Sequence, residues 1–191
     1  MARGHTLIIA EKFDAAERIA SALSLDGPPV KKTYRGIPYF EFRRNGRKFV
    51  VAAAMGHLYT VTQERGGRDY YPVFTFRWAP RHLAERGARK VKTVIAAIER
   101  LGKKASEFIN ATDYDVEGSL IGYMVLKYAC GGKEHEAKRM KFSTLTPEEL
   151  NQAFENLMPR LDFELAEAGR TRHEVDWLYG VNLSTALILS V

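Results

Sequence analysis

The sequence predicts an α/β fold, a largely parallel sheet covered by helices, followed by the beginning of an all-α domain. Short apolar strands and amphipathic helices alternate through most of the 191 residues, which argues for a parallel sheet with helices on its faces. A cluster of acids, "NATDYDVEG", follows directly on one apolar strand and opens a helix, the junction at which open α/β sheets place their sites. After about Met158 the strand signals stop, and "FELAEAGRTRHEVDWLYGVNLSTALILSV" reads as helix.

The first strand is "HTLIIA". The helix after it, "DAAERIASALS", has Ala16, Ile19, Ala20 and Leu23 at helical spacing and Asp14 as its expected N-cap. "IPYFEFRRNGRKFVVAAA" predicts a hairpin turning at Asn45-Gly46, a strong two-residue turn signal. "GHLYTV" and "VFTFRW" read as short strands flanking the loop "TQERGGRDYYP". In "VKTVIAAIERL", Val94, Ile95, Ile98 and Leu101 share one helical face. "ASEFINATD" is then a strand, "GSLIGYMVLKYA" a helix and "KRMKFS" a strand. "TPEELNQAFENL" is a helix capped by Thr146, with Pro147 at its first position and Glu149 at its third. The chain stops within the apolar run "ALILSV", which leads us to expect a piece cut from a longer protein.

Lysine plus arginine number 29 against 23 acids, a net charge of +6, concentrated in "VKKTYRG", "FRRNGRK" and "RHLAERGARKVK". A basic surface favours a polyanionic partner. No apolar run approaches the roughly 20 residues that span a bilayer. "MARGHTLIIAEK" is no signal peptide, so a cytoplasmic protein is expected. The single cysteine, Cys130, excludes an internal disulfide and a cysteine zinc cluster, and reads as a small buried apolar residue.

Asp113, Asp115 and Glu117 stand on alternate residues before Gly118. Period-two spacing past a strand end is expected to point Asp113 and Asp115 the same way, with Glu117 in the first helical turn. Two such charges about 4 Å apart repel by ~1 kcal/mol even in a water-like dielectric. A cation offsets this, and an all-oxygen ligand set suits magnesium. A solvated acidic turn with a capping role is the structural alternative. Glu11, just past the first strand, converges on the aspartates if the two strands are neighbours. His57 follows Gly56 in "AAMGHLY"; Gly56 allows an unusual backbone angle, and His57 is either structural or a phosphate donor. Arg172 and Asp176 lie four apart on a helix, as a surface ion pair or as an Asp orienting an Arg toward phosphate.

"LIIAEK", "AMGHL", "NATDYDVEGSLIG", "FSTLTPEEL" and "RTRHEVDWLYGVNLSTAL" occur in the order of the type IA DNA topoisomerases, and the chain most resembles their archaeal topoisomerase I branch. Residues 1–145 resemble the Toprim domain, Rossmann-like, and residues 146–191 the start of the helical domain that carries the single-strand DNA groove. The glutamate and DxDxEG alone specify only Toprim, which primases, small nucleases and gyrase-type enzymes share. "VDWLYGVNLS" narrows the resemblance to this family.

The resemblance implies ATP-independent relaxation of negatively supercoiled DNA. A tyrosine forms a 5′-phosphotyrosyl link, Mg2+ assists, a strand passes and the break is resealed. By motif match Glu11 is the catalytic acid acting on the leaving 3′ oxygen, and it shares the magnesium site. Asp113 and Asp115 are magnesium ligands and catalytic residues, and Glu117 supports them. Lys12 matches a lysine of some branches; others place theirs where this chain has Ala15. His57, Arg139, Arg172 and Asp176 match positions implied to hold or orient single-stranded DNA. Val116 stands where many members have Arg. None of the nine tyrosines lies in the nucleophile's motif, so the chain is expected to be inactive without the downstream domains of its own protein. A Toprim nuclease or primase fragment, a non-enzymatic nucleic-acid-binding domain and the topoisomerase half of a reverse gyrase are the alternatives.

Overall fold

The computed structural model describes residues 4–64 and 71–190. Its elements are β1 (His5–Ala10), α1 (Phe13–Leu23), β2 (Val30–Tyr34), β3 (Ile37–Arg44), β4 (Arg47–Ala53), β5 (Tyr59–Gln63), β6 (Phe76–Pro80) and α2 (Arg81–Ala84). There follow α3 (Arg89–Gly102), β7 (Ala105–Ala111), α4 (Val116–Met124), β8 (Lys138–Arg139), α5 (Pro147–Glu155) and α6 (Phe163–Leu189). Much of the expected loop "TQERGGRDYYP" falls on residues 65–70, outside the described residues.

The main sheet runs β2-β3-β4-β1-β7-β8. β1 is central and pairs in parallel with both β4 and β7, and β8 is parallel to β7. The β2, β3 and β4 side is antiparallel, a meander added to the parallel half. β5 and β6 do not join this sheet; they form a separate antiparallel pair.

Strand alternation sorts the core into two layers. Leu7 and Ile9 pack with Val50, Ala52 and Phe108 beneath Val94, Ile98 and Leu101 of α3 and Leu120 and Ile121 of α4. Ile8 and Ala10 face the other way, with Phe40, Val51 and Ile109, against Ile19 and Leu23 of α1 and Leu150 of α5. Leu7, Ile8, Ile9 and Ala10 are wholly buried, which explains why β1 reads as a continuous apolar run. The helical faces expected on α1 and α3 are the buried ones.

Several local readings change. Asp14 lies in the first turn of α1, whose N-cap is Lys12 with no side-chain cap bond. "VKKTY", read only as basic, is an edge strand, with Lys31 and Lys32 exposed. "KRMKFS" contributes only Lys138 and Arg139 to the sheet. α4 runs on into a π-helical turn, Val125–Ala129. Thr146 caps α5 as expected, but Glu149 reaches beyond it to the main-chain N–H groups of Ser143 and Thr144. The hairpin does turn at Asn45 and Gly46, with φ of 52° and 72°, the paired positive values of a type I′ turn.

α6 begins with Asp162 accepting from the Leu165 N–H. Gly169 lets it approach α4: a Cβ there would stand 2.8 Å from the Val116 carbonyl oxygen. Farther along, Tyr179, Leu183, Leu187 and Ile188 are exposed. Cys130 is half-buried, and burial pushes its thiol up to about 12. Among the described residues, no helix is long and apolar enough to cross a membrane.

Candidate functional site

Parallel pairing of β1 with β7 sets Ala10 opposite Ala111, so both strands end together. Glu11 leaves the first end and Asp113 the second. Lys12 joins them: its Nζ lies 3.3 Å from Glu11 Oε1 and donates to Asp113 Oδ2 at 3.1 Å. The Asp113 hydrogen bond, and then Glu11, hold the Lys12 ammonium above its ordinary value. β4 continues past its end beside Glu11, with the Met55 N–H donating to the Glu11 carbonyl at 2.8 Å. The chain then turns through Met55 and Gly56, at φ of 60° and 91°, and delivers His57.

The strand ends at Ala111, so period two does not carry past it, and Asp113 and Asp115 find different partners. Asp113 faces Lys12. Asp115 caps α4, accepting from the Gly118 N–H at 2.7 Å. Gly118 is required by this turn, because a Cβ there would run into the Asp113 carbonyl oxygen. Glu117 turns away to His57, with Oε2 3.0 Å from Nε2, and its Oε1 lies 3.6 Å from the Arg172 guanidinium.

Arg139 is the largest departure from the sequence reading. It was expected to hold DNA, but it is 1% exposed. Its guanidinium donates to the carbonyls of Thr112 at 2.8 Å, Asp113 at 2.9 Å, Asn110 at 3.1 Å and Met140 at 3.2 Å. β8 enters the sheet beside β7, and this fixes the side chain under the loop that carries the acids. Burial pushes the guanidinium down to about 10, so it stays charged at neutral pH. Arg139 therefore shapes the loop from below.

The loop is tied on other sides as well. Thr112 Oγ1 donates to the Gly118 carbonyl at 2.7 Å. Tyr114, between the aspartates, donates to Asp162 Oδ2 at 2.8 Å and so couples the loop to the N-cap of α6. The Leu165 N–H, then burial working against it, then Tyr114 act on Asp162, and the net effect holds its carboxyl below the ordinary value. The sequence carried no signal for Tyr114 or Asp162 as loop anchors.

Arg172 and Asp176 do share a face of α6, with Nε 3.8 Å from Oδ2, and both side chains are largely exposed. His57 is half-buried. Burial pushes it below the ordinary imidazole value, His173 adds to the shift and Glu117 opposes it. His173, absent from the sequence reading, lies 4.9 Å from His57 ring to ring.

The acids suit a hard cation in kind: oxygen donors past the C-terminal ends of β1 and β7. Magnesium keeps several waters and takes one or two carboxylates, so the set fits without three converging carboxylates. Indeed, among the described residues Glu11, Asp113, Asp115 and Glu117 do not supply three ligand atoms within 4.8 Å of one another.

Residues 6–145 match the family model for the Toprim domain. The chain is 49% identical over 181 residues to a DNA topoisomerase 1 from Pyrococcus horikoshii, covering 95% of this chain and 26% of the relative. It is 45% identical over 186 residues to a DNA topoisomerase 1 from Methanocaldococcus jannaschii, covering 97% of this chain and 24% of the relative. The chain thus spans about a quarter of the length of these relatives. Full-length topoisomerase I from Thermotoga maritima superposes with a TM-score of 0.54 at 23% identity, over 85% of this chain and 22% of that one, a likeness of fold. With its acids at the shared end of β1 and β7 and a Toprim match over most of its length, the chain belongs to the Toprim domain family.

Proposed function

We propose that this chain is the metal-dependent part of a type IA DNA topoisomerase that relaxes negatively supercoiled DNA by transient cleavage of one strand. Residues 1–145 are the catalytic Toprim unit, and residues 146–191 begin the helical part that meets single-stranded DNA. The observation that carries this reading is the bridge from Glu11 through Lys12 to Asp113 across two adjacent parallel strands. It is supported by the relatives, which are DNA topoisomerases 1.

Asp113 and Asp115 hold Mg2+, with Glu117 in support. When bound, the ion stabilises charge on the phosphoryl group being transferred. Glu11, once it has taken up a proton, passes it to the leaving 3′ oxygen and recovers it on resealing. Lys12 holds Glu11 and Asp113 at a fixed separation and offsets their repulsion. Arg172, exposed and steered by Asp176, meets a backbone phosphate, and His57 orients Glu117. Arg139 and Tyr114 keep the loop in place. Such phosphate contacts make DNA binding fall with added salt.

The nucleophilic tyrosine comes from outside these 191 residues. Tyr114, the tyrosine within the acidic loop, is committed to Asp162. The test is relaxation of negatively supercoiled plasmid with magnesium. The chain alone leaves the plasmid supercoiled and forms no covalent DNA adduct. Joined to the remainder of its own protein it relaxes the plasmid, and Glu11→Gln abolishes this. Relaxation by the chain alone, or nicking without a tyrosine adduct, contradicts the reading.

A further inference from the structure

His57, Glu117 and His173 come from three separate elements: the turn after β4, the first turn of α4 and the middle of α6. Their ligating atoms lie within 4.8 Å of one another, and all three residues are half-buried. Among the described residues, this is the one group of histidine, cysteine, aspartate or glutamate so compact.

We propose that His57, Glu117 and His173 form a binding site for a divalent transition-metal ion of the zinc class, which shares Glu117 with the carboxylates assigned to magnesium and adds two imidazoles. Two imidazoles and one carboxylate are the donors such ions prefer, whereas magnesium takes oxygen. Metal–ligand bonds of about 2.0–2.2 Å set tetrahedral ligand atoms roughly 3.4 Å apart. His57 Nε2 and Glu117 Oε2 already stand 3.0 Å apart, and a His173 ring nitrogen lies within 4.8 Å of both.

The surroundings fit a ligand set. Arg172 beside Glu117 Oε1 is an outer partner that orients the carboxylate. Trp78 flanks His173 at 5.6 Å between ring centroids and covers one side. Among the described residues His173 makes these ring contacts and no side-chain hydrogen bond. Three protein ligands leave a fourth position to water.

Such an ion has a structural consequence. It ties α6 to α4 and to the turn after β4, and it draws Glu117 out of the acidic set. A zinc-class ion therefore stiffens the join between the sheet and α6 while it removes one carboxylate from the magnesium site.

Cobalt(II) is the probe. The chain is stripped with a chelator, the chelator is removed, and cobalt is added while visible ligand-field absorption is followed. Zinc is then added to displace it. The wild-type chain takes up one equivalent with ligand-field bands, and zinc removes them. His173→Ala and Glu117→Gln each weaken cobalt binding by about tenfold or more. Far-UV circular dichroism checks that both variants are folded; His173 lies on an uninterrupted helix and Glu117 is part-exposed, so two elements report on the same site. Asp113→Asn keeps the cobalt spectrum, which separates this site from the magnesium one. A wild-type chain that shows no ligand-field bands, or a folded His173→Ala variant with unchanged spectrum and affinity, overturns the proposal.

Discussion

Lys12 donates to the carboxylate of Asp113 at 3.1 Å, from the end of β1 to the end of β7. The same ammonium lies 3.3 Å from Glu11, so one cation serves two acids that the fold forces together. Its side chain is 67% exposed, and an exposed ion pair adds under about 1 kcal/mol to stability. The Lys12→Ala variant should therefore melt close to the wild type. Its magnesium affinity should rise, because a competing positive charge is gone. A charge about 4 Å away in a water-like dielectric is worth ~1 kcal/mol, roughly fivefold in affinity. Calorimetric titration with magnesium measures this; weaker binding would show that Lys12 helps to hold the ion.

Arg139 carries a different kind of load. Its guanidinium satisfies the carbonyls of Asn110, Thr112, Asp113 and Met140 in a buried space. Leaving a buried acceptor unpaired costs about 1–3 kcal/mol. Arg139→Ala should lose at least about 3 kcal/mol in urea denaturation. Arg139→Lys should recover only part, since an ammonium cannot fork to separated carbonyls. Full stability in the alanine variant would refute the role.

Gly118 is where the acidic motif meets a steric limit. A methyl group there would strike the Asp113 carbonyl oxygen, which is main chain and is itself held by Arg139. Gly118→Ala should destabilise the chain by about 1–3 kcal/mol, as overpacking does, and should weaken magnesium binding in parallel. Unchanged stability in denaturant would mean that the turn is looser than the contacts indicate.

His5, at the start of β1, predicts a pH dependence. It is 8% exposed. Burial pushes its imidazole below the ordinary value, helped by Lys48 and Lys104 and opposed by Glu41 and a hydrogen bond to the Leu101 main chain. The unfolded chain therefore takes up a proton more readily than the folded one. Stability is full above about pH 6.5, the ordinary imidazole value, and falls as pH drops through that value toward the lowered one. Urea midpoints between pH 7.5 and 5 should fall in the wild type and fall less in His5→Gln. Equal slopes would assign the dependence to another group.

Much of the parallel core was readable because burial leaves a pattern. "LIIA" and "FINA" are apolar because both faces of β1 and β7 are covered, and Asn45-Gly46 is read from the positive φ angles that a type I′ turn demands. β2 was missed for the opposite reason: at the sheet edge its lysines stay in water and no alternation survives. In the site, the meeting of Glu11 with Asp113 followed from adjacent parallel strands. The separate directions of Asp113 and Asp115 did not, because regular alternation stops where β7 stops. Arg139 and His173 depend on where β8 and α6 pack. Local sequence records neither the burial of one nor the approach of the other to His57.

The central claim is that the aspartates past β7 bind magnesium. Isothermal calorimetry on the chain, wild type against Asp113→Asn/Asp115→Asn, tests it most directly. Both replacements are close in shape, and asparagine can still cap α4 in place of Asp115. The account predicts a magnesium isotherm for the wild type and its loss in a double variant that remains folded by circular dichroism. Equal magnesium affinity in the two proteins would contradict it.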